Sequence, residues 1–172
     1  MRLGGNIDER GTQVPYNYTK LSSAILAADT ASMTVDALIF TTGDVVTIGS
    51  EDITIASHAT KTMDITRGTN STTPAVHGAG QIVRLRTGTE ILSVTFNGST
   101  YFSGIWVSGE NESIFRIKWN DDTDKYLPLY YLTPYQLNDF IPSPRYLPEN
   151  GETLVVQAWS NGYGVCTAEY TC

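Results

Sequence analysis

Helical periodicity is nearly absent from this chain, and that constrains its fold more than any single motif. Short runs rich in β-branched and aromatic residues are separated instead by Gly, Asn, Asp and Pro. In "SIFRIKW" (113–119), Phe115, Ile117 and Trp119 face one way while Arg116 and Lys118 face the other. A helix advancing by about 100° per residue would scatter these residues, whereas a strand keeps each set on one face. Such alternation implies a sheet with one wet side. Apolar residues make up 41% of the 172 positions, enough to fill a core. The expectation is an all-β protein of two small antiparallel β modules, the C-terminal one a β-sandwich.

Residues 1–18 lack periodicity and read as an N-terminal arm. In 19–87, "MTVDA" (33–37) alternates, "DVVTIGSEDITIA" (44–56) reads as two strands around Gly49-Ser50, and "TMDIT" (62–66) and "QIVRLR" (81–86) follow. A small polar junction, "RTGTE" (86–90), precedes all three Trp, which places a boundary near 87–89 and a second module at 88–172. That module reads as "ILSVTF" (91–96), a turn at Asn97-Gly98, "YFSGIWVS" (101–108) and "SIFRIKW". "YLPLYYL" (126–132) reads as an edge strand, because Pro128 donates nothing to a ladder. Thr133-Pro134 can open one helical turn. "IPSPRYLPENG" (141–151) reads as a Pro-rich connection before two closing strands.

A net charge of −7 and a pI near 4.7 disfavour nucleic acid, whose phosphates need clustered Lys and Arg. They also disfavour docking on anionic lipid. No apolar run reaches the ~18 residues of a membrane span, and no signal-like apolar stretch follows Met1, so synthesis without export by that route is expected. Cys166 and Cys172 match no zinc spacing. On one extended strand their Cα atoms lie about 20 Å apart, too far for a disulfide. Cys166 is expected to be a small buried apolar residue.

The stretch richest in chemistry is "ITRGTNSTTPAVHGAG" (65–80). No Lys-Ser/Thr and no helix follow its glycines, so it is not a phosphate cradle. Arg67 and His77 have no nucleophile or carboxylate beside them in sequence. A structural turn accounts for each residue: Arg67 and His77 bond across the loop, Gly68, Gly78 and Gly80 permit tight backbone, and hydroxyls satisfy its donors. "WNDDTDK" spaces Asn120, Asp122 and Asp124 like a calcium loop, but the central Gly and the distant Glu are missing, so it reads as a solvated turn. No catalytic residue, metal or cofactor is expected. Tyr126, Tyr130, Tyr131 and Tyr135 are hard to bury together and are candidate contacts for carbohydrate or protein.

The pattern "LSSAILAADTASMTV…GDVVTIGSEDITI…MDITRGTNSTTPAVHGAGQIVRL", about residues 19–87, resembles a small β module of tailed-bacteriophage virion proteins. That module recurs in tail-tip, baseplate and fibre components. It reads as an Asp/Thr-rich opening strand, a Gly-bounded strand pair ending in a Glu, Arg-Gly, a turn, and Ala-x-x-His-x-x-Gly before a Val-containing strand. Arg67-Gly68, Ala75-Val76-His77, Gly78 and Gly80 stand at these positions, with Ala75 two residues before His77 in place of three, while Asn70-Ser71 stands where Asn/Asp-Gly is usual. The resemblance implies a non-enzymatic virion component, assembled in the host cytoplasm, whose partners are other virion proteins and copies of itself. Head decoration or head-fibre proteins, and a receptor-recognition module binding host-surface carbohydrate, are the alternatives.

Overall fold

The structure is a computed structural model that describes residues 12–26, 30–99, 101–110, 112–120, 129–132 and 138–171, with side chains outside 138–146 and 171. It is all-β: among the described residues there are fourteen strands and no helix. They gather into two units, one within Tyr16–Thr87, the other running from Gly88 onward together with the strand before Pro15.

That first strand is β1 (Thr12–Val14). The Tyr16–Thr87 unit follows with β2 (Tyr18–Lys20), β3 (Ser32–Thr34), β4 (Val45–Ile48), β5 (Glu51–His58), β6 (Thr62–Thr69) and β7 (Ile82–Leu85). They form one antiparallel sheet in the order β2-β7-β4-β5-β6-β3. Its two edges meet at the bridge Leu21–Val35, flanked by Ser22 N–H to Thr34 O (2.9 Å) and Asp36 N–H to Lys20 O (2.9 Å). The sheet therefore curls into a small barrel, which leaves few unpaired backbone groups at its edges. Inside lie Leu21, Ile25, Met33, Val35, Phe40, Val46, Ile48, Ile53, Ile55, Met63, Ile65 and Val83. The period-2 pattern supplies them: Ile53 and Ile55 come from β5, Met63 and Ile65 from β6.

The second unit adds β8 (Thr89–Asn97), β9 (Phe102–Gly109), β10 (Ser113–Trp119), β11 (Tyr130–Leu132), β12 (Asn138–Tyr146), β13 (Asn150–Ser160) and β14 (Gly164–Thr171). One sheet runs β1-β14-β9-β12 and the other β11-β10-β13-β8. Val14, Ile105, Val107 and Cys166 of the first meet Phe115, Leu154, Val156 and Ala158 of the second in one core, which makes the unit a β-sandwich. Phe96, Phe102, Trp119 and Tyr170 close that core with ring centroids 5.1–6.3 Å apart. Cys166 is a free, fully buried thiol, whereas Cys172 lies outside the described residues.

Three expectations are corrected. Residues 12–14 are not arm: Val14 is wholly buried, and β1 pairs with β14 in the register Thr12–Cys166, Gln13–Val165, Val14–Gly164. Residues 141–146 are not a connection, because they continue β12 along β9. Proline is tolerated there since β12 is an edge strand, and the register shifts between Pro142 and Tyr146. Arg116 does not face water but is wholly buried. Its guanidinium lies 4.9 Å from the centre of the Trp159 ring and donates to Gln157 Oε1, so the second face of this sheet is covered around Arg116 and Trp159, while Tyr131 on the same face is 53% exposed. Residues 126–128, 133–137 and Asp122 and Asp124 fall outside the described residues.

Candidate functional site

The residues of "ITRGTNSTTPAVHGAG" converge on one carboxylate, that of Glu51. Glu51 opens β5 two residues before Ile53 and four before Ile55, so its side chain points inward at one end of the barrel. Arg67 takes the corresponding place on β6, two residues beyond Ile65. His77 is brought alongside by its reciprocal bridge with Ile25, with N···O distances of 2.8 and 2.9 Å. The hydrophobic stack of the barrel thus ends in a polar plug.

Arg67 grips Glu51 with two parallel bonds, Nε to Oε1 at 2.6 Å and Nη2 to Oε2 at 2.7 Å. His77 Nε2 donates to Oε2 at 2.7 Å, the Gly68 N–H to Oε1 at 3.1 Å and the Ala75 N–H to Oε2 at 3.0 Å. Glu51 is 0% exposed, and five donors saturate the roughly four lone-pair positions a carboxylate offers. Arg67 also donates to the Ala75 carbonyl, and His77 Nδ1 lies 3.1 Å from Gln81 Oε1. The buried charge is fully compensated inside the fold.

The backbone is shaped for this. The register between β5 and β6 slips between Asp52–Thr69 and Thr54–Thr66, so Arg67 and Gly68 together oppose one residue of β5. At this bulge Gly68 has φ +62°, which turns its N–H from the ladder toward Glu51. Asn70 (φ +53°) and Ser71 (φ +60°) follow in a two-residue turn closed by Thr72 N–H to Thr69 O at 3.0 Å. Both central residues are left-handed, as in a type I′ turn, although Ser71 stands where Gly is preferred. Gly80 is also left-handed (φ +81°), whereas Gly78 is not.

Asp52 does the same outside the barrel wall. It accepts from Thr47 Oγ1 (2.8 Å), Asn70 Nδ2 (3.1 Å) and Arg86 Nε (2.8 Å), while its own N–H donates to Thr72 Oγ1 at 3.0 Å. Two consecutive carboxylates on opposite strand faces therefore tie the 67–77 loop to β5. Sequence reasoning named Arg67 and His77, and placed Thr72 among the hydroxyls that satisfy backbone donors, as it does for the Asp52 N–H, but missed Glu51, Asp52 and Gln81. The available signal was a carboxylate at the inward position of a strand, in register with Ile53 and Ile55.

Burial opposes ionisation of Glu51, but the Arg67 guanidinium, the His77 ring and the amides of Ala75 and Gly68 outweigh it and hold its carboxyl at about 2, against an ordinary 4.5. The folded state thus binds the proton less readily than the unfolded chain. The resulting stability is fully present above pH 4.5 and is lost as pH falls toward about 2. Thermal midpoints across that window should fall in the parent protein, and fall less in Glu51→Gln.

The aromatic candidates divide differently. Tyr130 (36% exposed) and Tyr131 (53%) lie on the edge strand β11, and as adjacent strand residues they face opposite sides and share no platform. Tyr126 and Tyr135 lie outside the described residues. Among the described residues, no group of three or more His, Cys, Asp and Glu is arranged to hold a metal. Comparison of the chain with protein-family models, curated proteins and solved structures finds no match in any of the three.

Proposed function

We propose that this chain is a structural component of a tailed-bacteriophage virion, a part of the tail tip, baseplate or fibre. It acts by assembling with other virion proteins and copies of itself, not by catalysis. The observation that supports this reading best is the saturation of Glu51. The constellation that looks most like a catalytic site spends its carboxylate, guanidinium and imidazole on one another and on the loop backbone. His77 is committed on both ring nitrogens, to Glu51 and Gln81, and neither bond reaches a nucleophile. What such a plug supplies is a rigid loop of fixed shape. Repeated by particle symmetry, rigid faces of modest affinity add up to firm attachment. The resemblance of residues 19–87 to the virion β module directs the reading to phage particles.

The test is quantitative mass spectrometry of density-purified particles from the virus that encodes the chain, with antibody labelling in the electron microscope. The protein is expected at fixed stoichiometry, with label at the tail end. Its absence from purified particles would refute the proposal.

A further inference from the structure

The outer face of the β1-β14-β9-β12 sheet carries a tryptophan at its middle. β9 is an interior strand, bonded to β14 on one side and β12 on the other. Its inward residues Ile105 and Val107 are 0% and 1% exposed, whereas Trp106 between them points outward and is 46% exposed. Nearly half of this large apolar side chain thus stays in water on a regular strand, and that part forgoes the free energy its burial would bring. Its neighbours follow from the register. Glu169 of β14 is directly opposite Trp106, and Thr167 is directly opposite Ser108. The Ser108 and Thr167 hydroxyls are hydrogen-bonded to each other. On the other side Phe140 of β12 is the register partner of Trp106. Directly opposed residues have Cβ atoms about 5 Å apart and same-face neighbours along the strand or on the diagonal about 7–8 Å, so Glu169 stands beside the indole and the Ser108 and Thr167 hydroxyls one same-face position further on.

We propose that this face binds a neutral sugar, one hexopyranoside unit of a glycan, with Trp106 as the platform. A pyranose presents a face of weakly positive C–H hydrogens, which match the negative π face of indole. Its hydroxyls project sideways from that face. There the Glu169 carboxylate accepts from them, and the Ser108–Thr167 pair both donates and accepts. The carboxylate disfavours acidic sugars, as does the net charge of −7. A protein partner fits less well on the β14 side: the centre of a protein interface is a contiguous apolar patch, and there a carboxylate stands directly opposite the ring with hydroxyls beyond it. The site is independent of the particle assignment above.

Saturation-transfer NMR on the full chain decides it, with the methyl β-glycosides of glucose, galactose and mannose and their commercially available oligomers as probes at millimolar concentration. Transfer is expected to the C–H protons of one ring face. Trp106→Ala should weaken binding on the order of tenfold at an unchanged thermal midpoint, and Trp106→Phe should restore part of it. Glu169→Gln should weaken it several-fold, and Tyr131→Ala should leave it unchanged. Absence of transfer from every glycoside would overturn the proposal, as would transfer that survives Trp106→Ala. Trp106-dependent capture of a protein with no sugar bound would overturn it equally.

Discussion

Glu51→Ala is expected to lower the stability of the barrel by about 3–5 kcal/mol, the usual cost of removing one partner from a buried ion pair. The substitution takes the carboxylate from a guanidinium and an imidazole whose side chains are each only 6% exposed, and leaves the Gly68 and Ala75 amides without their acceptor. Domains of this size have about 5–15 kcal/mol in total, so the loss decides whether the barrel folds at 37 °C. Glu51→Gln, which keeps the shape and part of the bonding, should cost less. Because Arg67 and Glu51 act as a unit, the double variant Glu51→Ala/Arg67→Ala should cost less than the sum of the two single variants. Urea unfolding followed by a probe within Tyr16–Thr87 measures all four. A loss below about 1 kcal/mol for Glu51→Ala would show that the plug is not what holds the loop.

The second large effect is expected at Gly68. Its φ of +62° is costly for any residue with a Cβ, and an added Cβ would lie 2.8 Å from Pro74 Cδ and 2.9 Å from both Pro74 Cγ and the Thr72 carbonyl oxygen. Left-handed backbone costs about 1–2 kcal/mol and forced overpacking about 1–3 kcal/mol, so Gly68→Ala should lose about 2–5 kcal/mol. Gly80→Ala is the control: φ is +81° there too, but nothing lies within 4 Å of the added atom. Its cost should be confined to the backbone, about 1–2 kcal/mol. Equal losses at the two positions, read from thermal midpoints, would mean that the contact with Pro74 carries no weight.

The all-β class was legible because alternation is local: Phe115, Ile117 and Trp119 announce their strand without knowledge of any partner. The Gly49–Ser50 turn was legible for the same reason. What stayed hidden depends on residues far apart in sequence. Glu51 meets Arg67 and His77 across 16 and 26 positions, so no window around the turn contains its centre. The strand character of 12–14 depends on β14, some 150 residues on, and three residues carry too little pattern to show it. Residues 141–146 were misread because their prolines outweigh their position beside β9. Arg116 was misread as wet because alternation tells which residues share a face, not what covers that face.

The placement of β1 changes how the chain is best divided. A cut at 87 does not separate two beads on a string, because the sandwich begins before the barrel and resumes after it. Topologically the barrel is an insertion in an interrupted sandwich. Its ends meet, since the Leu85 N–H bonds the Asn17 carbonyl at 3.0 Å. Chain enters and leaves the barrel side by side, as guest domains lodged in a host's loop do. The sandwich is therefore the host, and β1 with its buried Val14, made before the guest, has no partner until β14 has been synthesised on the guest's far side. The barrel alone can fold early, from contiguous chain.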